Sequence, residues 1–152
     1  MTIFEHRFVV NASVAEVARF HGAAEAFRSL VPPGMLLQIH IQEPLANDSI
    51  NEFTMWMGLI PIYWKAVHSN VGPTGFTDTQ ATGPIRSWVH CHTFERVSDR
   101  ETAVVDRIEY EHCTGWRGVR SQLLFSRTGL RFLFAWRAWA TRRGLVKMSQ
   151  SG

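Results

Sequence analysis

The chain reads GPIRSWVHCHTFE at residues 83 to 95 and DRIEY at residues 106 to 110. Period-2 alternation in the first segment places Trp88, His90, His92 and Phe94 on one face of a β-strand. This face is aromatic at both ends and titratable in the middle, which is typical of a sheet that lines a partly polar pocket. The segment therefore predicts a cavity for a small molecule.

Seven segments have the composition of β-strands and are separated by turn residues. The breaks at 58–61, 72–75 and 98–100 leave room only for hairpins, because parallel neighbours need crossovers of a dozen residues or more. We therefore predict an antiparallel sheet. Its strands are expected at 3–10, 35–41, 50–57, 62–71, 76–82, 87–97 and 102–111.

Two short helices are predicted between the first and second strands. Ser13 offers N-cap chemistry for the first helix, and Glu16 three residues later completes the pattern of a capping box. The second helix is expected from about Ala23 to Leu30. It should end before Val31-Pro32, because a residue that precedes proline is disfavoured in the helical conformation.

The C-terminal region changes to a helical pattern from about Val119 to Thr141. Apolar positions recur there at spacings of 4, 3, 4 and 3, which predicts one long amphipathic helix. The apolar stripe contains Phe125, Gly129, Phe132, Trp136 and Trp139, and Arg120, Arg127, Arg131 and Arg142 lie opposite. Gly129 in mid-helix costs about 1 kcal/mol relative to alanine, so it either permits a close approach of the backbone or is simply tolerated.

These elements predict a single α+β domain over residues 1–145, followed by a flexible tail at 146–152. A strongly curved seven-stranded antiparallel sheet around the C-terminal helix would bury both apolar faces and leave a cavity between them. A length of 152 residues, 45% of them hydrophobic, is sufficient for one such core.

The distribution of charged residues along the chain limits the kinds of binding partner that we expect. Residues 1 to 111 contain 8 Lys and Arg against 13 Asp and Glu, whereas residues 112 to 152 contain 8 basic residues and no acid. This asymmetry predicts a solvated basic helix face or docking of the basic segment on the acidic body, with weak attraction to a membrane surface as an alternative. We predict no nucleic-acid partner, and the oligomeric state stays open. Two cysteines without a framework spacing and no export signal predict a cytoplasmic protein.

Several motifs resemble the SRPBCC superfamily of START-like helix-grip proteins, and within it the small bacterial cyclase/dehydrase-like ligand-binding proteins. The similar parts are Val31-Pro32-Pro33-Gly34-Met35, Trp64, the 83–94 segment, Asp106 with Tyr110, and Phe134-Ala135-Trp136-Arg137. The chain departs from the family in the turn at 45–49, where a clearer glycine turn is usual, and at His112-Cys113, where a proline is usual.

The resemblance implies a helix-grip fold with a cavity for a hydrophobic ligand. Members of the superfamily range from lipid and quinone carriers to aromatase/cyclases that act on polyketides, so the fold alone does not choose a function.

Asp106 is expected to point to the same side of the sheet as Val104, Ile108 and Tyr110, because this set is more apolar than the alternating one. A hairpin at 98–100 would bring Asp106 near His92 or Phe94. A carboxylate beside an imidazole in an apolar pocket is the arrangement of an acid–base pair. His92 and Asp106 are therefore the candidate catalytic residues, with a hydrogen-bonded structural cluster or a ligand-orienting group as alternatives.

No metal or other cofactor is predicted. The segment His90-Cys91-His92 with Glu95 or Asp106 suggests a site of two histidines and one carboxylate, but Glu95 has the opposite strand parity. Phosphate loops, dinucleotide fingerprints and nucleophile elbows do not occur in the sequence. We assign the scattered histidines no role beyond surface or hydrogen-bonded core positions; they are His6, His21, His40, His68 and His112.

The preferred hypothesis is a binding protein for a hydrophobic, ring-containing small molecule. The alternatives are a cyclase- or dehydratase-type enzyme without metal, acting on a polyketide-like substrate, and a lipid or membrane-surface carrier. The predicted ligand-binding residues are Trp64, Trp88, His90, His92, Asp106, Tyr110, Phe132 and Trp136.

Overall fold

The computed structural model describes residues 1–151 of the chain. It contains a seven-stranded sheet and four helices. The elements are β1 (Thr2–Val10), α1 (Val14–Gly22), α2 (Ala24–Ser29), β2 (Met35–Gln42), β3 (Ile50–Met57), β4 (Ile60–Gly72), β5 (Gly75–Thr82), β6 (Ser87–Ser98), β7 (Glu101–Glu111), α3 (Gly115–Leu124) and α4 (Arg127–Gln150).

The sheet is antiparallel throughout and has the strand order β1-β7-β6-β5-β4-β3-β2. Strands β2 to β7 follow one another as hairpins, and β1 closes the arrangement by pairing with the last strand. All seven predicted strands are confirmed, each within two residues of its predicted ends. The short connections explain the pairing of β2 to β7, because each of these strands can reach its sequence neighbour only as a hairpin.

The two short helices are also confirmed. The Ser13 side chain accepts a hydrogen bond from the backbone N–H of Glu16, and the Glu16 carboxylate accepts one from the backbone N–H of Ser13 at 2.8 Å. This capping box satisfies donors at the start of α1 that have no partner within the helix. It fixes the position at which the chain leaves β1 and turns across the sheet.

The C-terminal region differs from the prediction, because two helices replace the single one. The chain leaves the helical conformation at Phe125, and Ser126 then starts α4 by accepting a hydrogen bond from the N–H of Gly129. Gly129 therefore lies in the first turn of α4 and not in mid-helix. The helix continues to Gln150, so residues 146–150 of the predicted tail are helical, while Gly152 lies outside the described residues.

The break also changes which helix face is buried. The predicted stripe placed Phe132 inward, but its side chain is 65% exposed, whereas Phe134 is fully buried. A continuous helical count from Phe125 is invalid, because the interruption resets the phase of the second helix. The residues of α4 that are buried are Leu130, Phe134, Ala138, Ala140, Thr141 and Leu145.

One face of the sheet, called the inner face here, packs against α1 and α4. Phe134 of α4 lies against Phe4 of β1, with ring centroids 5.4 Å apart, and against His90 of β6 at 5.3 Å. Two apolar clusters fill the remaining space, one around Phe8, Val17 and Phe20 and the other around Trp64, Trp88 and Phe134. Among the described residues, no helix combines the length and apolarity needed to cross a bilayer.

Candidate functional site

A row of histidines and aspartates crosses the middle of the inner face. Strand pairing places His92 of β6 opposite Asp106 of β7, and His90 of β6 opposite Asp78 of β5. The next hairpin places Asp78 opposite His68 of β4. Because directly opposite side chains of antiparallel strands are neighbours on the same face, carboxylates and imidazoles alternate across four strands. We call these five residues the His–Asp cluster.

Asp106 joins the two histidines of β6. His90 Nε2 donates a hydrogen bond to Asp106 Oδ1 at 3.0 Å. His92 Nδ1 lies 2.9 Å from the same oxygen, although its N–H bond is not aligned with it, so this is a close polar contact rather than a well-formed hydrogen bond. All three side chains are almost completely buried. The structure therefore pairs His92 with Asp106, as the hairpin argument allowed.

Asp78 forms the second half of the cluster. His92 Nε2 donates to Asp78 Oδ2 at 3.0 Å, and His90 Nδ1 lies 3.7 Å from that oxygen. The other carboxylate oxygen of Asp78 is 3.3 Å from His68 Nε2. His68 Nδ1 lies 2.9 Å from Ser49 Oγ, and the Ser49 hydroxyl also lies 2.8 Å from the Ala46 carbonyl oxygen.

Contacts within the His–Asp cluster and burial shift the pKa values of its members in different directions. Burial opposes ionisation of Asp78 and Asp106, but hydrogen bonds from the histidines outweigh it and hold the pKa of each carboxyl well below its usual value. Burial also opposes charging of His92, yet its contacts with Asp106 and Asp78 raise its pKa. Burial and the neighbouring His92 charge lower the pKa of His90 to about 4. His92 is thus more basic than a free imidazole and lies between two carboxylates, beside a His90 that is less basic than one.

His21 of α1 faces the cluster from the helix side. Its Nδ1 donates to the Val17 carbonyl at 2.9 Å, and its ring centroid is 6.1 Å from that of His92. Burial, followed by repulsion from His92, lowers the pKa of His21 to about 4. His21 is therefore neutral near pH 7.

Two adjoining cavities lie between the sheet and the helices. The aromatic chamber has a volume of about 120 Å³. Its walls include Phe27, Phe53, Trp64, Trp88, Phe125 and Leu133. The polar chamber has a volume of about 270 Å³, and its walls include His21, Glu43, Asn51, His68, Phe76 and His92. Asp78 and Arg137 border both chambers, so a single molecule can contact aromatic rings at one end and charged groups at the other.

Arg137 is the cation at this junction. Its guanidinium lies over the Phe134 ring, 5.3 Å from the centroid, and the side chain is only partly exposed. Within the described chain, no carboxylate oxygen lies within 4.0 Å of its guanidinium nitrogens. A half-buried arginine without an acidic partner suits a ligand that carries an anionic or strongly accepting group.

The predicted site residues fall into three groups. Trp64, Trp88 and His92 border the chambers. His90 and Asp106 lie behind His92, and Tyr110 packs on Trp88 with ring centroids 6.0 Å apart. Phe132 and Trp136 do not line either chamber. Phe132 lies on the surface, and Trp136 packs on Trp139 with centroids 4.7 Å apart. The placement of Phe132 inside the cavity was wrong for the reason given above.

The sequence analysis missed Asp78, His68, His21 and Arg137. Alternation along β5 from the apolar Phe76 would have placed Asp78 on the inner face, and alternation from Trp64 would have done the same for His68. His6, also given no role, lies opposite Asp106 on β1. His21 and His68, which were expected only at surface or hydrogen-bonded core positions, both border the polar chamber.

The basic C-terminal segment presents several apolar side chains to solvent. Trp116 and Leu123 of α3 are exposed together with Phe132 of α4. A groove of about 310 Å³ lies on this side, beside Arg117 and Arg120, but the His–Asp cluster does not border it. Attachment to a membrane surface stays a prediction. Cys91 and Cys113 are both free.

Fold comparison places the chain among proteins of one architecture. A structure of norcoclaurine synthase from Thalictrum flavum in complex with dopamine and hydroxybenzaldehyde superposes with a TM-score of 0.72 at 15% identity, covering 96% of this chain and 87% of that one. The Zhui aromatase/cyclase from Streptomyces sp. R1128 gives 0.68 at 12% identity, covering 98% and 93%. The protein TTHA0849 from Thermus thermophilus gives 0.73 at 12% identity, covering 97% and 99%.

The chain thus has the helix-grip fold of these solved structures, which is the fold that the resemblance in the sequence implied. No family model and no curated protein sequence matches the chain. Identities of this size establish the fold alone, so the function has to be argued from the chambers and the cluster.

Proposed function

We propose that this protein binds a ring-containing hydrophobic small molecule that carries one anionic or strongly accepting group. The observation that carries this proposal is the meeting of the two chambers at Asp78 and Arg137. Trp64 and Trp88 lie edge to face with centroids 5.5 Å apart, and Phe125 lies within 5.9 Å of both. Such a surface favours a flat ring.

The polar end of the ligand fits the junction. Arg137 supplies charge-assisted hydrogen bonds to an acidic or carbonyl oxygen, and neutral His21 can complete the polar wall. The apolar part of the ligand then replaces water in the aromatic chamber, where burial contributes roughly 25 cal/mol per Å². Pockets that are mostly apolar with a few polar groups bind ligands in this way.

We expect 2-naphthoate to bind with a dissociation constant on the order of 0.1 mM, the affinity typical of a small ring system. Replacing Arg137 with glutamine should weaken 2-naphthoate about tenfold or more, because a charged hydrogen bond is lost, and should change 2-naphthol by less than about twofold. Isothermal titration calorimetry measures both.

The control for that titration is Trp139→Leu on the exposed face of α4, compared with Trp64→Leu in the aromatic chamber. Only the Trp64 change should weaken both probes. If both tryptophan variants bind like the wild type, or if neither probe binds up to its solubility limit, the proposed ligand class is wrong.

A second candidate function is acid–base catalysis in the manner of a cyclase. The supporting observation is that His92 borders the polar chamber while held between the carboxylates of Asp78 and Asp106. A bound ketone beside His92 would exchange a proton at the carbon next to its carbonyl, the first step in closing a ring from a polyketide-like chain.

We expect the protein to accelerate deuterium incorporation into the methyl group of 2-acetonaphthone in heavy water. His92→Gln and Asp106→Asn should each reduce this acceleration by about 100-fold or more, with little change in binding of the ketone. Proton NMR follows the methyl signal. An exchange rate unaffected by the wild-type protein, or equal losses in binding and exchange, would exclude the catalytic role.

A further inference from the structure

Three side chains of the His–Asp cluster are arranged as metal ligands. Asp78, His90 and His92 offer one ligand atom each, and these atoms lie within 4.8 Å of one another. We infer that they bind a divalent first-row transition-metal ion, such as Zn²⁺, Fe²⁺ or Co²⁺. Two imidazoles and one carboxylate on one side of an ion are a donor set that such metals accept with further positions left open.

The separations support this arrangement. Two ligand atoms bonded at about 2.1 Å with an angle between 90° and 110° lie about 3.0–3.4 Å apart. His92 Nε2 is 3.0 Å from Asp78 Oδ2, and His90 Nδ1 is 3.7 Å from the same oxygen. The ligand atoms of the two histidines lie within 4.8 Å of each other, so binding of an ion requires the rings to rotate toward Asp78. Both histidines belong to one strand two residues apart, so their rings already share a face.

The outer contacts of the three ligands are also those of a metal site. Asp106 lies beside the opposite nitrogen of each ring, at 3.0 Å from His90 Nε2 and 2.9 Å from His92 Nδ1. His68 Nε2 lies 3.3 Å from Asp78 Oδ1, the carboxylate oxygen that does not contact His90 or His92. Carboxylates that hold the far nitrogen of a ligating histidine fix its tautomer and orientation. The cluster therefore directs His90 Nδ1 and His92 Nε2 toward Asp78.

The negative charge of the carboxylates in the cluster also favours a bound cation. The cluster contains two carboxylates, that of Asp106, which is buried, and that of Asp78, which is partly exposed, and a divalent ion would balance their charge. The ion would take the place of the proton on His92 Nε2 and release that proton to solvent. Asp78 and His92 border the polar chamber, so water or a ligand oxygen can occupy the remaining positions of the ion. The carboxylate partner comes from β5, which is why the segment 90–95 alone did not predict this site.

This inference is independent of ligand binding in the aromatic chamber. It does exclude acid–base catalysis by His92 in the metal-loaded protein, because the ion would occupy the nitrogen lone pair that a base requires. The test below uses the metal alone, so its outcome is not tied to the titration with 2-naphthoate.

The experiment is a titration of chelator-treated full-length protein with Co²⁺, followed by visible absorption. We expect one Co²⁺ per chain and a proton released on binding. Asp78→Asn and His92→Gln should each weaken binding on the order of 100-fold, and Asp106→Asn about 10- to 100-fold. The matched controls Asp99→Asn and His40→Gln lie outside the cluster and should bind within about twofold of the wild type.

Far-UV circular dichroism checks that each variant is folded. Proton NMR of wild-type protein with Co²⁺ supplies a readout that needs no variant, and should show two strongly shifted exchangeable imidazole N–H signals, one from each ligating ring. Failure of the folded wild-type protein to bind Co²⁺ at millimolar concentration would overturn the site. Unchanged binding by folded Asp78→Asn, or a thiolate charge-transfer band from Cys91, would overturn it equally.

Discussion

Replacing Phe134 with alanine should lower the free energy of unfolding by about 3–5 kcal/mol. Phe134 is fully buried at the centre of α4 and contacts rings on two strands, Phe4 and His90. Removing the ring loses its transfer free energy and leaves a cavity that the sheet cannot close. Urea denaturation measures the change as a lower midpoint with an unchanged slope.

The matched control is Phe132→Ala, two residues away on the same helix. Phe132 is exposed, so its removal should change the free energy of unfolding by no more than about 0.5 kcal/mol. The pair tests the phase of α4 directly. Equal losses in both variants, or a larger loss for Phe132, would support the continuous helix predicted from the sequence instead of the observed break at Phe125.

The second large loss of stability is expected when Gly75, where β5 begins, is replaced. Its φ is +146°, and an added Cβ would lie only 2.0 Å from the backbone carbonyl oxygen of His92. Gly75→Ala should therefore cost at least about 3 kcal/mol, because strained backbone and a clash with backbone atoms act together. The strand that has to move carries Asp78, so Asp78 should also lose its contacts with His90 and His92.

Gly58→Ala is the matched control for this change. Gly58 also has a positive φ, +61°, but a Cβ there would meet no atom within 4 Å. Its substitution should cost only the backbone preference, about 1 kcal/mol. Thermal and urea unfolding give both values. A Gly75 variant as stable as the Gly58 variant would show that β5 and β6 are not packed as closely as described.

The strands were predictable because their turn residues and alternation agree at every hairpin. The register of strand pairing was harder to predict than the strands themselves, as β4 and β5 show. Counting outward from the pair Gly72 and Gly75 places Ser69 opposite Asp78, but the structure places His68 there. Asn70 adopts a φ of +52° within this strand and shifts the pairing by one residue. Such a bulge has no reliable signal in a single sequence.

The C-terminal helices illustrate a different limit. The apolar spacing from Phe125 to Trp139 suits a single helix, and no proline marks the interruption. Ser126 provides the only local cue, since serine is a good N-cap, but it also occurs inside helices. The tertiary contacts of Phe125 with Trp64 and Trp88 hold the break in place. Packing of this kind overrides local periodicity and is visible only in the folded chain.

The candidate site was predictable in part for the same reasons. The pairing of His92 with Asp106 followed from strand parity and one hairpin. Asp78 was not found, because a single acidic residue on a threonine-rich strand looks like a surface position. Its partial burial is tolerated through its contacts with three histidines, since a carboxylate removed from water without such partners is destabilising.

The central claim is that the aromatic chamber and Arg137 together hold one ring-containing ligand. The most direct measurement is two-dimensional ¹H–¹⁵N NMR of the six tryptophan indole N–H groups during titration with 2-naphthoate. We predict shifts for Trp64 and Trp88, which line the chamber, and none for the exposed Trp116 and Trp139. Shifts confined to Trp116 and Trp139 would contradict the account, because the ligand would then lie on the outer surface of the helices.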